Sequence, residues 1–360
     1  MVRANFHIQG IYRDSDVISG REGLICLDRN ERVSAFDEGV FRSMLGELSS
    51  RMLSTYHDLG PLYERLECYT GLTRDRIALG AGSDAIIRRT FQAFVDAGDR
   101  VVAPDPSYRM YEVWAQVFRA DYVKVPYGTG PDFRFDIEKL ISAVEDGARL
   151  CCIANPDQPI GCVLPLDSLR RIASVCQRND TLLLVDEAYF PFHDETAQPL
   201  LGEFDNILVV RTFSKVGGIA GLRVGYGLGA KDVIDALHVV RSPGEVNSVG
   251  AVIAGYLLDH TEIMDDFCAA VAEGRKCLLS TARDLGFGVP LCAGNFQLLE
   301  CPNTISPVSL VAAVKARGYL IKGGFSHSSL RNYVRVTLDG PAVMEAFSKV
   351  LRDAVTELRE

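Results

Sequence analysis

The sequence predicts an α/β fold, with a large layered domain and a smaller α+β domain. From about Arg76 to Gly229, short apolar strands alternate with longer amphipathic helices, which is typical of a mostly parallel sheet covered on both faces. After Gly229 helices dominate and strands become few. A chain of 360 residues also exceeds the size at which a single hydrophobic core usually stops growing. We therefore expect two domains.

The first part of the chain carries most of the strand candidates. These are Arg100–Pro104, Tyr122–Pro126, Arg149–Ala154, Thr181–Asp186, Ile207–Arg211 and Arg223–Leu228, with a shorter strand at Arg76–Leu79. The helical patterns between them cover Ser83–Ala97, Tyr108–Phe118, Ile137–Glu145 and Leu166–Arg178. Unbroken apolar strands separated by helices predict a parallel arrangement.

The second part has a different pattern. One long helical tract, interrupted near Pro243-Gly244, is predicted from Lys231 to about Leu285. Strands are predicted at Asn295–Glu300, Tyr319–Lys322 and Tyr333–Thr337, and helices at Val308–Arg317 and Ala342–Leu358. We assign residues 1–30 to an N-terminal arm that belongs to the small domain, residues 31–245 to the large domain and residues 246–360 to the small domain.

Composition excludes several classes of function. With 38 Lys and Arg against 47 Asp and Glu, the net charge of −9 argues against a nucleic-acid-binding surface. No apolar run approaches the roughly 20 residues that cross a bilayer, and the N-terminus lacks the apolar stretch of a secretory signal. The ten Cys are scattered without a C-x-x-C pair, as expected for small buried residues in a reducing compartment and not for disulfides or zinc. We expect a cytoplasmic protein without a metal.

A lysine lies in unusual surroundings after one predicted strand. Lys215 is flanked by small and apolar residues, and Arg223 follows eight positions later. A lysine in such surroundings loses its proton easily, as a Schiff-base amine must. Arg223 offers a planar fork for a phosphate. A lone Ser-Lys pair usually lies in a solvated loop, but the small residues and Arg223 near Lys215 favour a ligand-binding site.

An acidic residue ends the preceding predicted strand. Asp186 closes an apolar run at the edge of the sheet where α/β proteins bind ligands. A buried carboxylate needs a cationic partner or several hydrogen bonds. If Lys215 were absent, the simpler interpretation would be that Asp186 caps the next helix. With Lys215 on the next strand, the two side chains are expected to converge on one site.

A glycine-rich turn opens a predicted helix at Gly80-Ala-Gly82-Ser83-Asp84. Backbone N–H groups at a helix N-terminus can bind a phosphate. The stretch also fits G-x-G-x-x-A, with Ala85 in the last place, so a dinucleotide site is an alternative. That alternative leaves Lys215 and Arg223 unexplained.

Together these elements resemble the aminotransferases of pyridoxal phosphate (PLP) fold type I, and most closely the histidinol-phosphate aminotransferase group. The resemblance covers nearly the whole chain in order. It rests on Asn30-Glu31, Tyr56, Gly82-Ser83-Asp84, Pro106-Ser-Tyr108-Arg-Met-Tyr111, Asn155-Pro-Asp-Gln158-Pro-Ile-Gly161, Asp186-Glu-Ala-Tyr189, the run from Ser214-Lys215 to Arg223, and Arg335-Val-Thr. It implies a mostly parallel seven-stranded sheet between helices in the large domain.

The resemblance also implies roles for these residues. Lys215 forms the Schiff base with PLP and moves the proton, and Asp186 keeps the pyridine nitrogen protonated. Tyr189 and Gln158 hydrogen-bond the 3′ oxygen, and Tyr108 stacks on the ring. The phosphate is held by Gly82, Ser83, Asp84, Ser214, Arg223 and a partner-chain Tyr56, which implies a homodimer with shared active sites. The substrate is bound by Arg335, through its carboxylate, and by Lys322, Asn30 and Tyr12.

Three positions depart from the family pattern. Gln158 replaces Asn, so its contact is longer by one methylene, and His57 follows Tyr56 where Pro is usual. Lys322 replaces an Arg that binds the distal phosphate of histidinol phosphate, and a lysine lacks the bidentate fork. We therefore expect an aminotransferase that transfers an amino group between an amino acid, with glutamate as the donor, and a small anionic keto compound, with phosphorylated compounds among the candidates.

Two alternatives remain open from the sequence. A decarboxylase or cyclising dehydratase on the same fold would break a different bond, because the bond perpendicular to the ring plane is the one that breaks. A catalytically silent, cofactor-binding regulator is the other, although no DNA-binding module is visible. The isolated histidines, including His327, show no metal spacing, and His327 could line the substrate pocket.

Overall fold

The structure is a computed structural model that describes residues 4–11, 20–128 and 133–360. Within these residues the strands are β1 (Ile25–Leu27), β2 (Ile77–Gly80), β3 (Arg100–Asp105), β4 (Asp121–Pro126), β5 (Ala148–Ala154), β6 (Leu182–Asp186), β7 (Ile207–Thr212), β8 (Gly225–Gly229), β9 (Phe296–Glu300), β10 (Tyr319–Ile321) and β11 (Tyr333–Thr337). The helices are α1 (Glu38–Gly46), α2 (Arg51–Ser54), α3 (Gly60–Thr70), α4 (Ser83–Phe94), α5 (Met110–Phe118), α6 (Ile137–Glu145), α7 (Leu166–Arg178), α8 (Lys231–Val239), α9 (Ser248–Asp259), α10 (Glu262–Asp284), α11 (Pro307–Ala316) and α12 (Pro341–Arg359).

A seven-stranded sheet organises the described part of the large domain, in the order β2-β8-β7-β6-β5-β3-β4. Its strands run parallel except β8, which is antiparallel to both of its neighbours. Successive side chains of a strand point to opposite faces. Thus Leu183 and Val185 of β6 join one core, and Leu182 and Leu184 join the other. The predicted mostly parallel α/β sheet is confirmed.

The helical tract after the sheet is divided more often than predicted. The expected break near Pro243-Gly244 separates α8 from α9, which begins where the Asn247 side chain accepts a hydrogen bond from the Gly250 N–H. A second break, at His260 and Thr261, separates α9 from α10. The prediction missed this break because neither Gly nor Pro marks it.

The C-terminal part has its own core between the long helices α10 and α12 and two short sheets. Strands β9 and β11 pair antiparallel, and β1 pairs parallel with β10. The N-terminal segment thus adds a strand to the C-terminal part, and Leu27 of β1 belongs to its core. The domain limits at residues 30 and 245 stay a prediction. No helix in the described part of the chain has the length and apolar character needed to span a membrane.

Candidate functional site

A cavity of about 1370 Å³ opens at the carboxyl ends of the parallel strands, where the sheet meets the C-terminal part. Most of the side chains selected from the sequence line it. These are Asn30, Ser83, Asp84, Tyr108, Gln158, Asp186, Tyr189, Ser214, Lys215, Arg223, Lys322 and Arg335. Residues separated by up to 305 positions in the chain thus face one space. Parallel strands make this possible because their carboxyl ends meet at one edge of the sheet.

Asp186 ends β6 at the base of this cavity and is only 3% exposed. Its carboxylate accepts hydrogen bonds from the Tyr111 hydroxyl at 3.0 Å and from the Ala188 N–H at 3.1 Å. Burial raises the pKa of the Asp186 carboxyl to about 7. The two hydrogen bonds act in the opposite direction and lower this pKa, but the effect of burial is larger. Among the described residues no basic side chain forms an ion pair with it. The site therefore presents a buried acid that a cationic ligand atom would stabilise.

Lys215 follows β7, the strand next to β6 in the sheet. Its Nζ donates a hydrogen bond to the Arg29 carbonyl oxygen at 3.0 Å and lies 6.0 Å from the centroid of the Tyr189 ring. Burial, and then the positive charge of Arg335, lower the pKa of the Lys215 amine to about 8. An amine with this pKa is partly unprotonated near neutral pH, as a nucleophile must be.

The N-terminus of α4 forms the end of the cavity opposite the C-terminal part. Its N-cap residue, Gly82, has φ +80° and no side chain to cap the first N–H groups, which remain open to a ligand. A Cβ at Gly82 would lie 2.5 Å from Arg223 Nη2. The Arg223 guanidinium in turn contacts Asp84 Oδ2 at 3.5 Å and Ser214 Oγ at 3.3 Å. Uncapped N–H groups beside an arginine make a site for an anion such as phosphate.

Tyr108 and Tyr189 border the middle of the cavity. The Tyr108 hydroxyl donates to Asp84, and burial together with that carboxylate raises the pKa of Tyr108 well above its ordinary value. The Tyr189 hydroxyl accepts a hydrogen bond from Asn30 Nδ2 at 2.7 Å. Burial raises the pKa of Tyr189 to about 12, so its hydroxyl keeps its proton at neutral pH and remains a donor.

Two basic residues, Arg335 and Lys322, lie at the end of the cavity that the C-terminal part forms. Arg335, on β11, is 6% exposed, and its Nη2 donates to the Asp28 carbonyl oxygen at 3.0 Å while its buried Nε has no hydrogen-bond partner. Lys322 pairs with Arg335 through two backbone hydrogen bonds, of 3.0 and 2.7 Å, and its side chain is exposed. This end of the cavity therefore favours an anion.

Three of the selected residues lie elsewhere. Tyr56, in the segment between α2 and α3, is 98% exposed and does not line the cavity of its own chain. A Cβ at Gly244 would lie 3.6 Å from its ring. Gly82 lies behind Arg223 and supports the cavity without lining it. Tyr12 lies outside the described residues.

Other cavity residues were missed from the sequence. Arg109, Glu112 and Lys124 line the wall formed by α5 and β4, with Lys124 Nζ 3.0 Å from Glu112 Oε1. The sequence already suggested His327 as a pocket residue, and it does line the cavity, with its Nε2 3.1 Å from Asp105 Oδ2. Arg109, Glu112 and Lys124 are not defining residues of any recognisable sequence motif, so nothing in the sequence separated them from solvated polar residues near α5 and β4. In the described ranges, no group of three or more His, Cys, Asp or Glu could hold a metal ion.

Comparison with known proteins places this geometry in context. The model of the aminotransferase class I and II family matches residues 48–355. Histidinol-phosphate aminotransferase from Thermoanaerobacter sp. (strain X514) is 33% identical over 316 residues, which cover 87% of this chain and 88% of that protein. The corresponding protein from Symbiobacterium thermophilum is 32% identical, with 82% of this chain and 81% of that protein covered.

Solved structures agree on the fold. The histidinol-phosphate aminotransferase from Sinorhizobium meliloti, in complex with pyridoxal-5′-phosphate, superposes with a TM-score of 0.87 at 24% identity, covering 99% of both chains. A putative histidinol-phosphate aminotransferase from Erwinia carotovora atroseptica SCRI1043 gives a TM-score of 0.85 at 23% identity, covering 94% of this chain and 97% of the other. At these identities the likeness concerns the fold alone.

Proposed function

The chain belongs to the aminotransferase class I and II family, and from this premise we propose that it is a pyridoxal-phosphate-dependent aminotransferase. It transfers an amino group between an amino acid, with glutamate as the expected donor, and a small anionic keto compound. One observation carries the proposal. Lys215 and Asp186, at the ends of adjacent strands β7 and β6, face the same cavity, one as an amine of lowered pKa and the other as a buried acid.

The residues of the cavity fit pyridoxal phosphate at three points. The uncapped N-terminus of α4 with Ser83, Ser214 and Arg223 suits the phosphate. The buried Asp186 carboxylate, which lacks a cationic partner among the described side chains, suits a protonated ring nitrogen. Lys215 suits the aldehyde. When bound, the cofactor supplies an aldehyde that binds amines and a ring that takes up the electron pair left when a bond to the substrate α-carbon breaks.

The chain's own residues then have distinct tasks. With the cofactor bound, Lys215 Nζ would take the proton from the substrate α-carbon and would deliver it to the carbon that carried the aldehyde. The Asp186 carboxylate, fixed by Tyr111 and the Ala188 N–H, would hold the proton on the ring nitrogen. Tyr189, fixed by Asn30, would donate to the 3′ oxygen together with Gln158, and Tyr108 would stack on the ring.

Arg335 binds the carboxylate that amino acids and 2-keto acids share. Its buried Nε, without a partner in the described structure, supports this assignment, because a bound carboxylate would satisfy it. The neighbouring Lys322 adds a positive charge for a second anionic group of the substrate. The relatives' name, histidinol-phosphate aminotransferase, supports a phosphorylated substrate. Lysine in place of arginine favours a phosphorylated compound other than histidinol phosphate.

The proposal extends to assembly and location. Tyr56 is almost fully exposed on its own chain, as a residue that reaches the cofactor phosphate of a partner chain would be before assembly. We therefore propose a homodimer with shared active sites. A cytoplasmic location is supported by the ten cysteines, all of which are free thiols.

A spectroscopic experiment tests the proposed reaction. The holoenzyme is mixed with glutamate alone and then with a panel of phosphorylated and carboxylated keto compounds. We expect glutamate to replace the visible absorbance of the lysine-bound cofactor by that of its amine form, and an accepted keto compound to restore it. An unchanged spectrum, with carbon dioxide released from another amino acid, would instead identify a decarboxylase.

A further inference from the structure

The segment from Cys292 to Gln297, which we call the backing loop, contacts the loop that carries Gln158. Cys292 Sγ donates to the Ile160 carbonyl oxygen at 2.9 Å, and the Ala293 N–H donates to the Gly161 carbonyl oxygen at 2.8 Å. A Cβ at Gly161 would lie 2.8 Å from that of Cys292. The two loops are therefore in such close contact that a shift of one moves the other.

The same backing loop also supports Tyr189. Gly294 has φ +87°, and a Cβ there would lie 2.9 Å from Tyr189 Cδ1, so the backbone packs directly on the phenol ring. Asn295 Nδ2 donates to the Asn30 carbonyl oxygen at 3.1 Å, and Asn30 Nδ2 donates to the Tyr189 hydroxyl. The loop thus fixes both the face of the Tyr189 ring and the donor to its hydroxyl.

A single arginine of α10 holds this loop. Arg275 Nη1 donates to the carbonyl oxygens of Cys292 at 2.9 Å and Phe296 at 3.1 Å and to Gln297 Oε1 at 2.9 Å, and its Nη2 donates to the Gly294 carbonyl oxygen. No carboxylate in the described part of the chain pairs with it, and burial lowers its pKa. An arginine that donates several hydrogen bonds to one loop and has no carboxylate partner holds that loop in place.

We propose that Arg275 is a positioning residue of the cofactor site, which sets the places of Tyr189 and Gln158 together by holding the backing loop behind both. This inference rests on the proposed function, because the two side chains are those that we assign to the 3′ oxygen of the cofactor. Arg275 touches neither the cavity nor the reacting atoms, since it is absent from the cavity lining. Its effect reaches the cofactor only through the loop.

The test uses the holoenzyme and three variants of helix α10. Arg275→Met removes the charge and the donors, Arg275→Lys keeps the charge with fewer donors, and Arg283→Met changes an exposed arginine of the same helix as a control. Three quantities are measured. They are the Kd of pyridoxal phosphate, the pH at which the visible absorbance of the lysine-bound cofactor is half-way through its change (the pH midpoint), and the unfolding temperature of the cofactor-free chain. The other groups that act on Tyr189, namely Arg335, Asp186 and Asp157, are the same in all variants.

We expect Arg275→Met to raise the Kd about tenfold, the equivalent of one or two hydrogen bonds. It should also move the pH midpoint upward, because displaced donors no longer stabilise the ionised 3′ oxygen. Arg275→Lys should restore part of both values, and Arg283→Met should match the wild type. A folded Arg275→Met protein with unchanged Kd and midpoint would overturn the inference, even if its unfolding temperature is lower.

If Arg275→Met does not fold, the Gly294→Ala variant tests whether the backing loop positions Tyr189. The added methyl group would press on the Tyr189 ring while Arg275 itself is not substituted, and it should move the midpoint upward as well. An unchanged midpoint would overturn the inference. Failure of the proposed function itself has another sign. In that case the wild-type chain would form no visible absorbance that depends on Lys215, and both proposals would fall.

Discussion

Lys215 Nζ donates a hydrogen bond to the carbonyl oxygen of Arg29 at 3.0 Å. The residues on either side of Arg29 contact the other groups of the site: Asp28 accepts from Arg335 through its carbonyl oxygen, and Asn30 donates to Tyr189. Three consecutive residues of the N-terminal segment thus reach the proposed Schiff-base lysine, carboxylate-binding arginine and 3′-oxygen donor. The segment therefore contacts both the middle of the cavity and the end formed by the C-terminal part.

Replacing Lys215 by Ala should abolish the covalent link to the cofactor. Reduction of the wild-type holoenzyme with borohydride should fix pyridoxal phosphate to the chain, as mass spectrometry of the intact protein would show. The Lys215→Ala protein should carry no added mass and have no measurable turnover. Lys231→Ala changes an exposed lysine paired with Asp235 and should behave as the wild type. Turnover retained in Lys215→Ala would refute the assignment.

The lowered pKa of Lys215 predicts how pH governs cofactor capture. Only the unprotonated amine attacks an aldehyde, so the capture rate of the cofactor-free chain should rise up to about pH 8 and then level off. Arg335 is the second cause of the lowered pKa. Arg335→Met should therefore move the midpoint of the rate profile upward, while Arg331→Met, at an exposed position, should leave it in place. Stopped-flow absorbance at several pH values measures both profiles.

The sequence predicted the residues at the centre of the cavity better than those at its rim. Asp186 and Lys215 could be placed because strand ends in a parallel sheet meet at one edge, and an acid or lysine beside apolar residues is a strong signal. The backing loop could not be predicted, because its importance lies in backbone carbonyls that accept from Arg275 and in the contact of Gly294 with Tyr189. Neither feature has a side-chain pattern that a single sequence reveals.

Strand and helix limits show the same division. Helix α6 (Ile137–Glu145) and strand β11 (Tyr333–Thr337) have the limits predicted, because apolar periodicity and turn residues bound them. Helix α4 ends at Phe94, three residues before the predicted end at Ala97. Lys322, predicted within a strand, lies just beyond β10 and only forms a bridge with Arg335. Tertiary hydrogen bonding decides such ends, and local sequence does not encode it.

Burial of Asp186 predicts a pH-dependent stability of the cofactor-free chain. Burial raises the pKa of both Asp186 and Asp157 to about 7, above the ordinary aspartate value of about 4. The unfolded chain then binds fewer protons than the folded chain between these values, so stability falls as pH rises from about 4 to about 7. Thermal unfolding of the cofactor-free protein at pH 5.5 and 7.5 measures this fall.

The Asp186→Asn variant isolates the contribution of Asp186. Asparagine does not ionise, so the fall in unfolding temperature should be smaller than in the wild type, with Asp157 responsible for the remainder. Pyridoxal phosphate should stabilise the wild type more at pH 7.5 than at pH 5.5, because in the proposed site its protonated ring nitrogen would pair with the ionised carboxylate. Equal pH dependence in wild type and variant would contradict the assigned burial effect.

Replacing Lys322 by Arg should change the preference for phosphorylated substrates. A guanidinium binds a phosphate through two parallel hydrogen bonds, whereas an ammonium group is a point charge. We expect Lys322→Arg to raise kcat/KM for histidinol phosphate by about tenfold, the effect of one charge-assisted hydrogen bond. The half-reaction with glutamate should change little, because we assign the shared carboxylate to Arg335. Single-turnover absorbance with each donor separates the two effects, and an equal change in both would argue against a distal role for Lys322.

Replacing Gly82 by Ala should weaken cofactor binding by displacing Arg223. The added Cβ would lie 2.5 Å from Arg223 Nη2, so the guanidinium must leave its place beside Ser214 and the N-terminus of α4. Loss of a charge-assisted contact to phosphate should raise the Kd of pyridoxal phosphate by about tenfold to a hundredfold.

Gly98→Ala is a matched control, since Gly98 also has a positive φ, +93°, but no atom lies within 4 Å of the added Cβ. Both variants introduce the same kind of backbone strain, so both should unfold at somewhat lower temperature, and only Gly82→Ala should lose affinity in an absorbance titration. Equal Kd values for the two variants would show that Arg223 does not hold the phosphate at this helix terminus.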